Sequence, residues 1–313
     1  MTCNQIRQRV VAVVGATVCV LGLSVPATAQ LVGSLAGAGS EATPAVQLLE
    51  DDDPAVLDPA EPDFVVVNVP TTLRLPRFKT NFRMTHRFAG NLRRGSFSEN
   101  AGNLFGLDQG AIIGFELRVG LLRNLQAGVF RTNFDKTIQM SAQYDALRQR
   151  GAMPVSVSVI GSIEGTDNFR EKFAPAVGLV LSRKVAGRLA VYAAPVWVAN
   201  TNASLDPILH QHGEGEEEAH EESTFERRST FLLGLGARAR LTSTLYLVGE
   251  LTPRLSGYAP DEVEYGFGLE KRVGGHAFAL TFTNTFGTTF AQMARGGTAS
   301  SLYLGFNLGR KFY

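Results

Sequence analysis

The sequence predicts an all-β chain, a closed antiparallel up-and-down transmembrane β-barrel of about 12 strands. Three observations carry that expectation. From residue 78 onward, apolar residues alternate with polar residues or glycine in one segment after another, the period-two pattern of a sheet with two different faces. The segments run to about 10–14 residues, nearer the ~9–11 of a tilted membrane strand than the ~5–6 of soluble sheets. Short turns alternate with longer loops, as they do in outer-membrane barrels.

The elements follow in order. Arg7 and Arg9 precede an uncharged apolar run, Val10 to Leu23, and then the small-residue site Ala27-Thr28-Ala29. That order reads as a secretory signal peptide over residues 1–29. The run of about 14 residues falls short of the ~20 a spanning helix needs. An uncut N-terminal anchor is the competing reading. Cys3 and Cys19, the two cysteines, both lie in this segment, so a mature chain has no thiol chemistry. Residues 30–72 are rich in Ala, Pro and acid, with Glu50-Asp51-Asp52-Asp53-Pro54 at the centre. They are expected to form a flexible periplasmic segment. Within it, Phe64 to Val69 reads either as a short strand or as a plug, bounded by Pro70 and Pro76.

Residues 73–313 carry the barrel pattern. Phe82, Met84 and Phe88 alternate with Asn81, Arg83 and Arg87. Phe115, Leu117 and Val119 alternate with Glu116 and Arg118, and Phe231 to Leu241 alternates with Gly234, Gly236, Arg238 and Arg240. Tyr265, Phe267 and Leu269 alternate with Glu264 and Glu270, and Leu304, Phe306 and Leu308 alternate with Gly305, Asn307 and Gly309. Short turns are expected near Leu122–Asn124, Arg150–Ala152, Ala186–Gly187, Thr242–Thr244 and Gly274–Gly275. An even strand count places both termini on the periplasmic side. Pro175 fits near a strand start, and Pro195 is expected at a bulge or an outer strand end.

Several strings carry a family resemblance. They are Thr85-His86-Arg87-Phe88, Leu104-Phe105-Gly106-Leu107-Asp108-Gln109, Arg131-x-x-Phe134-Asp135-Lys136, Tyr144-Asp145-Ala146-Leu147-Arg148 and Gly305-Phe306-Asn307-Leu308-Gly309-Arg310-Lys311-Phe312. As an ordered set over roughly residues 70–313 they resemble an uncharacterised family of membrane-bound outer-membrane β-barrels of Gram-negative bacteria. The resemblance implies fold and location, and brings no substrate or catalytic residue.

Lys plus Arg number 30 and Asp plus Glu 29, so no basic field for nucleic acid exists. No nucleophile and base fall at matched heights, so neither an enzyme nor a cofactor is expected. If the apolar parity faces lipid, Arg83, Arg87, Glu116, Arg118, Arg238, Arg240, Glu250, Arg254, Glu264, Glu270 and Arg272, with Lys79, line the lumen. These charges either select solutes in a pore or pair into a network that fills it. The acidic loop offers His210, His212 and His220 as ligands for a loosely held metal ion, or is simply a solvated external loop. The expected function is a narrow channel or transporter for small solutes or ions. The alternative is a non-conducting barrel that binds through its external loops. Expected partners are outer-membrane lipid and, after Sec-type export, the barrel-assembly machinery. A soluble β-sandwich is the rival fold, since alternation by itself suits both.

Overall fold

The computed structural model describes residues 60–201, 228–259 and 262–312. The signal segment, residues 30–59 and the acidic loop with His210, His212 and His220 lie outside the described residues. Thirteen strand segments follow one another: β1 (Thr80–Asn91), β2 (Ala111–Leu122), β3 (Leu125–Thr132), β4 (Ile138–Leu147), β5 (Ser156–Gly165), β6 (Glu171–Val185), β7 (Leu189–Val198), β8 (Thr230–Arg240), β9 (Leu245–Thr252), β10 (Arg254–Gly257), β11 (Glu264–Val273), β12 (His276–Thr283) and β13 (Tyr303–Phe312). Every pairing is antiparallel, and pairing of β1 with β13 and of β9 with both β8 and β11 closes the ring. β10 pairs with β8 alone and continues β9 beyond Pro253, whose carbonyl still accepts the Leu233 N–H at 2.9 Å. Twelve strands therefore form the wall. Thr80 pairs directly with Phe312, so both ends of the wall lie at one rim, called here the near end.

Wall polarity separates a membrane barrel from a soluble sheet. Outward residues are large and apolar and stand exposed, among them Leu117 (57 %), Phe115, Phe267 and Leu280. Their immediate neighbours Glu116 (4 %) and Arg118 (6 %) are buried inside. A soluble sandwich has the reverse arrangement, whereas lipid outside and a polar interior require this one. Introducing Leu117→Arg in the middle of β2 should therefore cost about 2–4 kcal/mol in a bilayer. Unfolding in lipid vesicles measures it; a loss no larger than that of an exposed loop substitution would mean no lipid meets this face.

The prolines show how the ladder tolerates them. Pro175 lies at the fifth position of β6, opposite Ile163. Pro195 departs from expectation: it sits inside β7, opposite Leu233 of β8, and the register with β6 runs unchanged from Gly178↔Val196 to Leu181↔Ala193. The chain makes no bulge there. Proline lacks an N–H donor, so the ladder to β6 drops its pairs locally without slipping.

Among the described residues, two insertions enter the interior. One is residues 60–77, entering from the near end. Residues 60–72 belong to the segment expected to be flexible, yet all are buried, with Val67 and Val69 at 0 %. The reason is composition: Phe64 and four valines offer apolar surface that only an enclosed site removes from water. The other insertion comes from the far end. The connection between β12 and β13 folds inward and carries the short helix Phe290–Arg295, of which Phe290 to Ala294 are buried.

Candidate functional site: a stoppered lumen

The near-end insertion is a hairpin. Val65 bridges to Pro70, the Thr71 N–H donates to the Phe64 carbonyl at 2.9 Å, and the Val66 N–H closes a turn on the Val69 carbonyl at 2.9 Å. The tip is thus Val66 to Val69, and three successive amides there point the same way. The N–H groups of Val67, Asn68 and Val69 all donate to the carboxylate of Glu250 on β9, each at 2.9 Å. An ionised acceptor roughly doubles the strength of such bonds, so Glu250 reaches three of the four tip residues at once.

Asn68 extends the anchor. Its amide nitrogen donates to Glu264 Oε1 at 3.0 Å, and its oxygen accepts from Arg87 Nη2 at 3.3 Å. Arg87 also donates to Asn307 Oδ1 at 2.9 Å, and Asn307 in turn donates to the Val67 carbonyl at 2.8 Å. Arg238 Nη2 reaches the Val65 carbonyl and Glu270 Oε2, both at 2.8 Å. Lys311 Nζ donates to the Pro62 carbonyl at 2.5 Å. Arg118 and Lys311 stand over the Phe64 ring at 5.0 and 5.4 Å.

The returning arm is held by neutral groups. Gln143 donates to the Thr71 carbonyl, Ser182 and Thr72 share a hydrogen bond, and Gln126 both donates to the Leu73 carbonyl and accepts the Leu75 N–H. The wall makes room with glycine. A Cβ on Gly236 would lie 2.9 Å from Val66 Cγ2, and one on Gly266 would lie 3.2 Å from Val67 Cγ1. The valines of the tip consequently rest against bare backbone.

The interior has two different halves. β1, β2, β9, β11 and β13, together with Arg238 on the near half of β8, carry the charged groups described above. Toward β5–β8 the wall is apolar: Ile160, Ala174, Ala176, Val180, Ala194, Val196, Val198 and Leu232 form one buried cluster with Val69 of the hairpin and Phe290, Ala291, Met293 and Ala294 of the far-end insertion. That second insertion has its own polar latches. Glu164 of β5 accepts the Thr289 hydroxyl at 2.8 Å and the Ala291 N–H at 3.1 Å. Gln292 donates to Thr137 Oγ1 at 3.1 Å, and Arg295 pairs with Asp135 at 3.2 Å.

The expected lumenal charges can now be placed. Arg83 and Arg118 flank Glu116 at 2.9 and 2.7 Å. Arg87, Glu250 and Glu264 converge on the hairpin tip, and Arg238 pairs with Glu270. Arg254 belongs to the far end, where Nη1 donates to the Arg295 carbonyl at 2.6 Å. Arg240 is only half-buried and donates to the Thr242 and Ser243 carbonyls of its own near-end turn. Arg272 and Lys79 are likewise half-buried near that rim. Parity fixes which face a residue takes, but not its depth. Among the described residues no cluster of three His, Cys, Asp or Glu has metal-holding geometry. The hairpin's own groups, Glu61, Asp63 and Asn68, and the wall groups Asn307, Lys311, Glu164 and Tyr192 were not among the candidates read from sequence.

The family described as membrane bound beta barrel domain (DUF5777) matches residues 63–312. The chain belongs to that family. The match opens at Asp63, inside the hairpin, so in this membrane-bound β-barrel the stopper lies within the family domain. The resemblance read over roughly residues 70–313 is to this family, and the match extends it seven residues toward the N-terminus. Among solved structures, the chain is similar to the NanC porin (10 % identity, 75 % of this chain and 99 % of that one, TM-score 0.44) and the KdgM porin (9 %, 75 % and 98 %, 0.44). It is also similar to the outer membrane protein Omp33 of Acinetobacter baumannii (7 %, 75 % and 98 %, 0.39). No curated protein matches the chain.

Proposed function

We propose that this β-barrel is an outer-membrane channel of a Gram-negative bacterium, held closed by its own N-terminal hairpin, and that small solutes or ions pass when the hairpin withdraws. The near end faces the periplasm in this reading, with the long loops outside, and a Sec-type signal peptide delivers the chain. The observation that carries the reading is the mode of attachment. The hairpin is no strand of the wall. It is held through side chains of a ring whose own ladder closes without it. Its withdrawal therefore breaks no wall pairing. Passage of solute, rather than catalysis, is the role such a stoppered lumen suits.

A disulfide lock tests it. A Cβ at position 236 would stand 3.5 Å from Val66 Cβ, within the ~3.5–4.5 Å that disulfides span. The protein's own cysteines, Cys3 and Cys19, both lie in the signal segment. The Val66→Cys/Gly236→Cys variant should be silent in planar bilayers when oxidised and show openings when reduced. If oxidised and reduced protein conduct alike, or neither conducts, the hairpin is no gate. Silence in both states would favour the permanently closed barrel that acts through its loops, a reading the two buried insertions also suit.

A further inference from the structure

The hairpin tip presents N–H donors beside an apolar body, and the wall that receives it is built for that combination. Glu250 and Glu264 lie on adjacent strands with Gly266 opposite Glu250 and Thr252 opposite Glu264, so the two carboxylates are diagonal neighbours on the inner face. Both are buried. The cations facing them from surrounding strands are largely matched to other carboxylates of the wall: Arg83 and Arg118 to Glu116, and Arg238 to Glu270, whose charge Lys311 also faces once the Pro62 carbonyl leaves with the hairpin. Arg87 is the guanidinium bonded at the tip itself, through Asn68. The charge of Arg87 thus acts on both carboxylates, across Asn68 rather than through a direct ion pair. Beside them, Ala190, Tyr192, Tyr246 and Val248 form an apolar shelf now covered by Val66 and Val67.

We propose that, once the hairpin withdraws, Glu250, Glu264 and this shelf form a binding site for organic ammonium ions with a small apolar body. The proposal rests on the channel reading. When the three tip amides leave, Glu250 loses its donors, and an ammonium group supplies three in their place. The alkyl part then covers the shelf that the valines vacate. An anion of the same shape meets the excess carboxylate, and a bare inorganic cation gains nothing from the shelf.

Ligand that occupies the site holds the hairpin out, because it binds one of the two states and not the other. The experiment uses the full-length Val66→Cys/Gly236→Cys protein and follows the rate of disulfide formation under mild oxidant. Butylammonium should slow the reaction at least 5-fold at concentrations where ammonium and butyrate have no effect. Glu250→Gln added to the pair should abolish that ratio. An equal effect of butyrate removes the charge argument, and an equal effect of ammonium removes the shelf. An unmoved rate, or an effect that survives Glu250→Gln, overturns the site. The channel reading is judged separately by whether reduction opens the lock. A lock that switches conductance while butylammonium leaves the rate unchanged sinks the site and spares the gate.

Discussion

Replacing Arg238 with methionine is expected to destabilise the folded barrel by about 3–5 kcal/mol. Arg238 is wholly buried and bonds Glu270 Oε2, the Val65 carbonyl and, at 3.2 Å, Tyr192 Oη. Methionine keeps much of the volume and removes every donor. Glu270 is then a buried carboxylate that has lost its charge partner, and that orphan dominates the penalty. The companion Arg238→Met/Glu270→Leu should recover most of the loss, because deleting both halves of a buried pair is often close to neutral. Guanidinium unfolding of the detergent-refolded protein measures both. A single substitution costing under about 1 kcal/mol would show that water reaches this pair and screens it.

Replacing Glu250 with alanine should act on the hairpin rather than the wall. Three amide bonds to one carboxylate vanish together. Bonds to a charged group contribute about 1.5–3 kcal/mol each, and water recovers part of that when the hairpin leaves. A net loss of about 3 kcal/mol raises the withdrawn population roughly 100-fold. Chymotrypsin reports it through cleavage after Phe64, which is only 1 % exposed in the closed barrel. The strands should keep their thermal transition. Unchanged cleavage would mean that the valines and the remaining anchors hold the tip without Glu250, and co-unfolding of the wall would mean that hairpin and barrel are one cooperative unit.

The wall was readable because lipid imposes its rule residue by residue. Leu117 must face out and Glu116 in, and the same alternation set β8, β11 and β13 correctly. The hairpin obeys no such rule. Val65-Val66-Val67 does not alternate, since every side of it is enclosed, and a continuous apolar run of that length suits a buried strand or a plug equally. The far-end helix had a local signal that went unread: Thr289 and Gln292 form a capping box, the pattern of a helix start. That the helix turns into the lumen depends on Glu164, 125 residues from Thr289 in sequence, and no local pattern encodes it. The depth of Arg240 and Arg272 was hidden for a simpler reason, because alternation has no marker for where a strand leaves the lumen.

The Glu250 anchor has a consequence for assembly. Its bonds join residues 181–183 positions apart, so the hairpin emerges early from synthesis while its receptor strand is made far later. The entropy of closing so long a loop rises only logarithmically, but contacts of this separation form late. The hairpin also leads straight into β1, and β13 supplies Asn307 and Lys311 to hold it. The final seam of the ring, β1 against β13, joins the first wall strand to the last. Sealing the sheet and seating its stopper therefore both wait for the last strand, β13.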